Sequence, residues 1–418
     1  MLDPNFIRVN PSLVKEGTRA KGVKEEIVEE WLKVDQERGQ LLPALEELRR
    51  QRNQARHEWK DLSPPQRAQR QQELVELKRK IQAQERQLRE VNARWRDLLW
   101  QIPNLPLPEV PRGEDENDNV VLRQWGEKRK FSFPVRDHLE LGEKLDLIDV
   151  VRASKVSGSR FTYLKNELVL LEWALVKFAF DFLVQKGFHP VLPPVLIKKE
   201  IEARLGYGEH GGWEDMYLLP EDNLVLIATA EHALVALHAE ETLPASELPR
   251  RYIAFSTCFR REAGSYGKDT RGIIRLHQFN KVEMVSLTRP QDSIQEHQFL
   301  VNLEEELMQQ LELPYQVVQI CSGDLGHPAA NKIDLEVWLP GQNRYRETHS
   351  CSNCTDYQAR RLQIKYEEGG KKEYLHILNG TVFSERPLIA ILENYQQKDG
   401  SVKVPSVLQP YLNFDKIG

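Results

Sequence analysis

Ile27, Trp31, Val34, Leu41, Leu45, Leu48, Ala55, Trp59 and Leu62 follow one another in alternating steps of four and three, with Arg38 and Arg52 in the two slots between them. Such a series is a heptad seam, an apolar stripe that a lone helix leaves in water and that therefore demands a partner helix. The partner follows at once: Leu74, Leu77, Ile81, Leu88, Val91, Trp95 and Leu98, with Gln84 in the vacant slot. Between them "LSPPQRAQ", residues 62 to 69, sets two prolines side by side, which stops one helix and starts the next. Matching seams across a tight break predict an antiparallel helical hairpin over about residues 25–98, each arm about 50 Å long at ~1.5 Å per residue, projecting like a finger. Pro43, inside the first arm, removes a backbone donor and predicts a kink there.

Charge gives the hairpin a direction. Residues 49 to 96 hold 14 Lys or Arg against 6 Asp or Glu, a net of +8 in a chain whose net charge is −5. A charged coiled coil can be no more than a solvated face. The sign reversal against an acidic body argues instead for a polyanion. Basic helices without an aromatic strip suit a phosphate backbone read by shape, as in double-helical RNA.

A chain of 418 residues exceeds one ordinary domain, and 40% hydrophobic content supports a real core. No run approaches the roughly 20 apolar residues of a membrane helix, and "MLDPNFIRVN" lacks a signal-peptide core, so a soluble, unexported, cytoplasmic protein without membrane contact is expected. Four cysteines with one close pair, Cys351 and Cys354, predict reduced thiols rather than disulfides. Zinc on that pair with Cys258 and Cys321 is the weaker reading, because metal sites usually show two close pairs. "QIPNLPLPEVPRGEDENDN", residues 101 to 119, reads as an extended linker. Three parts result: residues 1–100 with the hairpin, 101–119 as linker, and 120–418 as a second domain. There, helical stretches such as 165 to 186 mix with alternating runs such as "RYIAFSTCFRRE". No phosphate-loop or dinucleotide fingerprint is present. Strands joined by short loops predict an α+β domain with an antiparallel sheet flanked by helices.

One stretch of that domain carries chemistry. "CFRREAGSYGKDTRGIIRLHQFNKVE", residues 258 to 283, sets Arg260, Arg261, Arg271 and Arg275 around a loop with three glycines and closes on Glu283. In strands, residues two apart share a face, so Arg260 with Glu262, and Arg275 with Phe279 and Glu283, are expected to line one surface. That surface offers cations for phosphate or carboxylate, a ring for a flat base and a carboxylate for an amine. ATP together with an amino acid fits the inventory.

At this point the sequence resembles a known family, the class II aminoacyl-tRNA synthetases, and within it the bacterial-type seryl-tRNA synthetases, over nearly the whole chain. "FRRE" and "RLHQF" resemble the second signature motif, "GFHPVLPPVLI" (187 to 197, with Pro194 at the dimer position) the first, and "NGTVFSERPLIAILENYQQKDGSVKVPSVLQPYL" (379 to 412) the third. "ATAEH", "HQFNKVEMV" and "ETHSCSNCTDYQARR" are similar to blocks of the serine enzymes. The resemblance implies a homodimeric ligase that makes seryl-adenylate from ATP and L-serine. It then transfers serine to serine-specific tRNA gripped by the arm, with selenocysteine tRNA as a second acceptor that the residues do not decide. The alternatives are an amino-acid ligase for a carrier protein, which lacks the long arm, a catalytically dead RNA-binding or structural paralogue, which would lose the arginines, and a class II enzyme charging another amino acid.

By the same resemblance, Arg260, Arg275 and Arg386 carry the catalysis. Thr229, Ala230, Glu231, Glu283 and Thr381 meet serine, while Arg260, Arg261, Glu262, Arg275, Phe279, Glu347, Thr348, His349, Ser350 and Arg386 surround ATP. Glu347 and Ser350 match the positions that hold Mg²⁺ with ATP. Their three-residue spacing does not place them on one face of a regular strand, so the assignment requires a bulge within "ETHS", whereas Glu347 and His349 would otherwise face alike. His349 reads better as a satisfied strand histidine. Two departures stand out. The third motif is one residue short before Arg386, with Glu385 preceding it, and Ser384 can still cap the helix that starts there. "YGEHGGWEDMY", residues 207 to 217, also differs from the usual wording of the family.

Overall fold

The computed structural model describes residues 1–59, 63–263 and 272–418. The chain divides into two units, one of Leu2–Arg19 and Val23–Pro103, the other of Met1, Ala20–Gly22 and Asn104–Gly418.

The smaller unit is helical: α1 (Pro4–Val9), α2 (Pro11–Ala20), α3 (Glu26–Glu58) and α4 (Pro64–Gln101). α3 and α4 run antiparallel, because the residues bonded across them descend on one helix as they climb on the other: Asp35 with Trp95, Arg38 with Asn92, Arg49 with Glu85 and Glu58 with Arg70. The heptad positions of α4 are buried or half-buried throughout. In the first turn of α3 the fully buried residue is Val28 and not the expected Ile27. Over its first three turns α3 also meets α1 and α2 through Arg8–Asp35 and Lys15–Glu29. Arg38, in a seam slot, lays its guanidinium 5.0 Å from the centre of the Trp95 ring, an amphipathic way for a charge to sit in an apolar seam. The helix is continuous through Pro43, which lies on its exposed side, so the proline interrupts the bond ladder without ending the helix. Ser63 caps α4 reciprocally with Gln66. Leu62, the last position of the first seam, lies outside the described residues.

The larger unit is built on an eight-stranded sheet. Its strands are β1 (Val120–Trp125), β2 (His189–Val191), β3 (Arg250–Phe259), β4 (Gln278–Thr288), β5 (Tyr315–Gln319), β6 (Asn331–Leu339), β7 (Arg344–Asn353) and β8 (His376–Phe383), in the order β1-β5-β6-β7-β8-β4-β3-β2. Every pairing is antiparallel except β2 with β3. The remaining helices are α5 (His138–Lys144), α6 (Val150–Ser157), α7 (Glu167–Gln185), α8 (Lys199–Leu205), α9 (Ala230–Ala236), α10 (Ser293–Gln310), α11 (Tyr357–Leu362) and α12 (Glu385–Asn394). Helices α7, α10 and α12 bring Leu171, Leu175, Leu300, Leu307, Leu388 and Ile391 into one core with Met284, Leu335 and Val382 of the sheet. Their neighbours Glu283 and Thr381 consequently point to the other face, as strand alternation requires.

The unit boundary falls at Pro103/Asn104, so most of the expected linker belongs to the larger unit. Asn104 and Leu107 donate backbone bonds to His327 and Ala330, and Val110 packs among Val318, Ile320 and Leu325. Buried apolar residues spaced irregularly among prolines carry no period, which is why a pattern search reads them as free chain. All four cysteines are unpaired and buried. No described helix is long and apolar enough to cross a membrane.

Candidate active site

A cleft of about 590 Å³ opens on the face of the sheet that carries Glu283 and Thr381, with the first turn of α12 at its wall. Arg260, Glu262, Arg275, Phe279, Glu283, Thr229, Glu231, Glu347, Thr348, Ser350, Thr381 and Arg386 all line it.

The expected pleat does not bring the first three together. β3 ends at Phe259 and β4 starts at Gln278, so Arg260, Glu262 and Arg275 lie beyond the paired strands. Arg260 still extends the pairing through its N–H to His277 O at 3.0 Å, and Arg261 N then turns away to Asp215 O at 2.8 Å. Glu262 follows in the left-handed region at φ 55°. This turn points Glu262 back at Arg275, with which it forms an ion pair, while Arg261 is exposed and does not line the cleft. Arg271 lies outside the described residues. The Arg260 guanidinium lies 5.1 Å from the Phe279 ring centre, and its Nε donates to Ala228 O at 3.2 Å.

At one end of the cleft, Thr229 caps α9 and accepts from Glu231 N. The cap fixes the first turn so that Glu231 faces the cleft and Ala230 is packed into the core behind it, away from the position expected for a ligand contact. Glu231 Oε1 accepts from Tyr207 OH, from Asn379 Nδ2 at 3.0 Å and from Gln358 Nε2 at 3.3 Å. Glu283 and Thr381 are direct partners in the β4–β8 register. Burial pushes the Glu283 carboxyl up to about 7, against the pull of Lys281 Nζ at 2.5 Å. Lys281 Nζ also donates to Thr229 Oγ1 at 3.2 Å.

At the other end, the bulge that the assignment of Glu347 and Ser350 requires is present. Leu335 pairs with His349 and Glu336 with Glu347, which leaves Thr348 as the extra residue of β7. Glu347 opposite Glu336, and Ser350 opposite Asp334, therefore share one face. His349 falls on the opposite face, fully buried against Phe383 with Nδ1 at 2.8 Å from Thr348 Oγ1, and does not line the cleft. Burial pushes its imidazole down to about 4, so it is neutral. Ser384 caps α12 through Arg386 N, and Arg386 reaches Glu347 at 2.7 Å to the backbone oxygen and 3.3 Å to the carboxylate. Despite desolvation in the cleft wall, Arg386, Lys332 and Arg260 hold Glu347 below the usual carboxylate value.

Glu347 and Ser350 offer the hard oxygen donors that Mg²⁺ takes. Among the described residues, no group of three or more His, Cys, Asp or Glu is arranged to hold a metal alone, so an ion there would complete its shell from phosphate oxygens and water. The cleft as a whole sets cations in carboxylate pairs: Arg275–Glu262, Lys281–Glu283 and Arg386–Glu347. An incoming anion competes for guanidinium groups already held near their working positions.

Several contributors escaped the sequence reading. Tyr207, Asn379 and Gln358 hold Glu231, and Lys332, Lys281 and Glu385 line the wall. Burial pushes the Glu385 carboxyl up to about 8. Lys281 lies two residues from both Phe279 and Glu283, and Asn379 two from Thr381, so strand period two is the signal that could have found them.

Comparison with known proteins adds to this geometry. Residues 217–395 match the family model for the tRNA synthetase class II core domain (G, H, P, S and T), and residues 1–106 that for the Seryl-tRNA synthetase N-terminal domain. A serine--tRNA ligase from Dictyoglomus turgidum is 44% identical, covering 100% of this chain and 99% of the relative. The solved structure of seryl-tRNA synthetase from Pyrococcus horikoshii complexed with ATP superposes with a TM-score of 0.93 at 41% identity, over 100% of this chain and 99% of that one. A cytoplasmic serine-tRNA ligase from Naegleria fowleri in complex with AMP gives 0.88 at 34% identity, over 100% and 98%.

Proposed function

The chain belongs to the seryl-tRNA synthetases, and on that premise we propose how its own residues divide the work. The enzyme activates L-serine with ATP and transfers the serine to tRNA. In the first step a serine carboxylate oxygen attacks the α-phosphorus of ATP and pyrophosphate leaves. In the second, a hydroxyl at the 3′ end of the tRNA attacks the seryl carbonyl and AMP leaves. Neither step needs a covalent nucleophile from the protein, so the task is orientation and charge stabilisation.

Arg260 bridges the serine carboxylate and the α-phosphate, with a planar fork that suits both. Arg275 and Arg386 take the outer phosphates, leaving their carboxylate partners. Adenine stacks on Phe279, with Arg386 over its other face and Glu262 and Thr348 beside the nucleotide. Mg²⁺ held by Glu347 and Ser350 would neutralise the triphosphate. Glu231 and Glu283 accept the serine ammonium and hydroxyl, together with Thr229 and Thr381. Buried polar partners reject glycine and alanine, which lack the hydroxyl, more strongly than an apolar slot could, whereas threonine is excluded by fit, a contrast of about 1–3 kcal/mol.

The observation that carries this reading is the convergence of Arg260, Arg275, Phe279 and Arg386 on one cleft that ends at Thr229, Glu231, Glu283 and Thr381. ATP–pyrophosphate exchange across a panel of amino acids tests it. Serine-dependent exchange, abolished in a folded Arg260→Ala variant, is expected; exchange with another amino acid, or near-normal exchange in that variant, would contradict it.

Three further assignments belong to the same proposal. The exposed apolar residues Leu170, Trp173 and Val184 of α7, with Leu192 after β2, suit a homodimer interface, which light scattering tests. The basic half of the helical hairpin, residues 49 to 96, grips the tRNA. The enzyme works in the cytoplasm.

A further inference from the structure

A buried imidazole behind the cleft holds the segment that leads to Arg275. His138 opens α5 and Glu393 lies near the end of α12; they are 3% exposed and fully buried. Glu393 Oε1 accepts the His138 backbone N–H at 3.1 Å and lies 3.0 Å from His138 Nδ1, while Oε2 accepts Gly341 N–H at 2.9 Å. The second ring nitrogen, Nε2, is 3.3 Å from Ile273 N, a group that can only donate. Nε2 is therefore the acceptor and Nδ1 carries the proton, so the network itself selects one neutral tautomer.

This pair ties together three segments that end in cleft residues. α12 begins next to Arg386, the turn at Gly341 leads through β7 to Glu347, and Ile273 stands two residues before Arg275. Both contacts rely on glycine. A Cβ on Gly272, whose φ is +78°, would stand 2.1 Å from His138 Nε2, and one on Gly341 would stand 2.9 Å from Glu393 Oε2.

We propose that His138 is a positioning residue for ATP, which fixes Arg275 relative to Arg386 and Glu347 through the Ile273 backbone without touching the nucleotide. The assignment rests on the ATP cleft proposed above. Wild-type serine-dependent exchange tests that cleft on its own, and the ratio of variant to wild type tests His138. In full-length H138L, the KM for ATP should rise about tenfold while the KM for serine stays within about twofold, because the serine end is built from other elements. H138Q should recover most of the loss, since its carbonyl can accept from Ile273 N–H while its amide faces Glu393. Equal rises in both KM values, or an ATP KM that stays at the wild-type value in folded H138L, would overturn the proposal. If H138L does not fold, G272A decides: the same split supports the role, and an unchanged ATP KM in a protein with native melting refutes it.

Discussion

Tyr207 offers the most discriminating perturbation of the serine end. Its ring stacks on His232 at 4.9 Å between centroids and 15° between planes, and its hydroxyl donates to Glu231. Burial first, and the nearby Glu231 second, push its phenol well above the ordinary value, so it stays a donor at any working pH. Tyr207→Phe keeps the stack and removes that one bond. Hydrogen bonds to charged groups contribute about 1.5–3 kcal/mol. Because Asn379 and Gln358 still hold the same oxygen, the low end applies, and ~1.5 kcal/mol corresponds to about tenfold. The KM for serine in pyrophosphate exchange should therefore rise about tenfold, with the KM for ATP and the melting temperature close to wild type. A serine KM within about twofold of wild type, or a matching rise for ATP, would refute the view that Tyr207 sets the Glu231 carboxylate.

Replacing residues 27 to 98 by a short turn should spare serine-dependent exchange and remove tRNA charging; equal loss of both would mean that the hairpin supports the cleft instead. Glu283, pushed up to about 7 by burial, must be ionised to take an ammonium, so the serine KM should fall between about pH 6 and about pH 8, and this trend should vanish in Glu283→Gln. Glu304, fully buried behind the sheet at 2.8 Å from where a Cβ on Gly380 would stand, is raised well above its ordinary value by burial and then by Asp334 and Glu283. A carboxyl raised on folding stabilises fully below its unfolded value of about 4.5 and progressively less as pH rises. Denaturant melts of Glu304→Gln should accordingly gain on wild type as pH rises, and a constant difference from acid to neutral pH would contradict this.

What the sequence made legible follows from periodicity. A seam repeated over many turns demands a partner helix, so the antiparallel hairpin α3–α4 was readable, although the residues that bond across it were not. Strand alternation placed Phe279 and Glu283 on one face, as both lie within β4, whereas Thr381 was reached only through the resemblance. The same rule failed for Arg260, Glu262 and Arg275, where a left-handed residue outside the strands does the orienting. The bulge at Thr348 followed from the assignment that the resemblance implied rather than from pattern: an extra residue lets Glu347 and Ser350 share a face. The resemblance also assigned Ala230, Arg261 and His349 to the site, and the helix cap, the backbone turn and the bulge at Thr348 respectively send those side chains elsewhere. His138, Tyr207 and Gln358 act across long sequence separations, which no local period records.

The most direct test is a crystal structure with a non-hydrolysable seryl-adenylate analogue. The account predicts adenine between Phe279 and Arg386, the phosphoryl mimic on Arg260 and the ammonium at Glu231 and Glu283. An analogue bound with its adenine away from Phe279, or its amine away from both carboxylates, would contradict it.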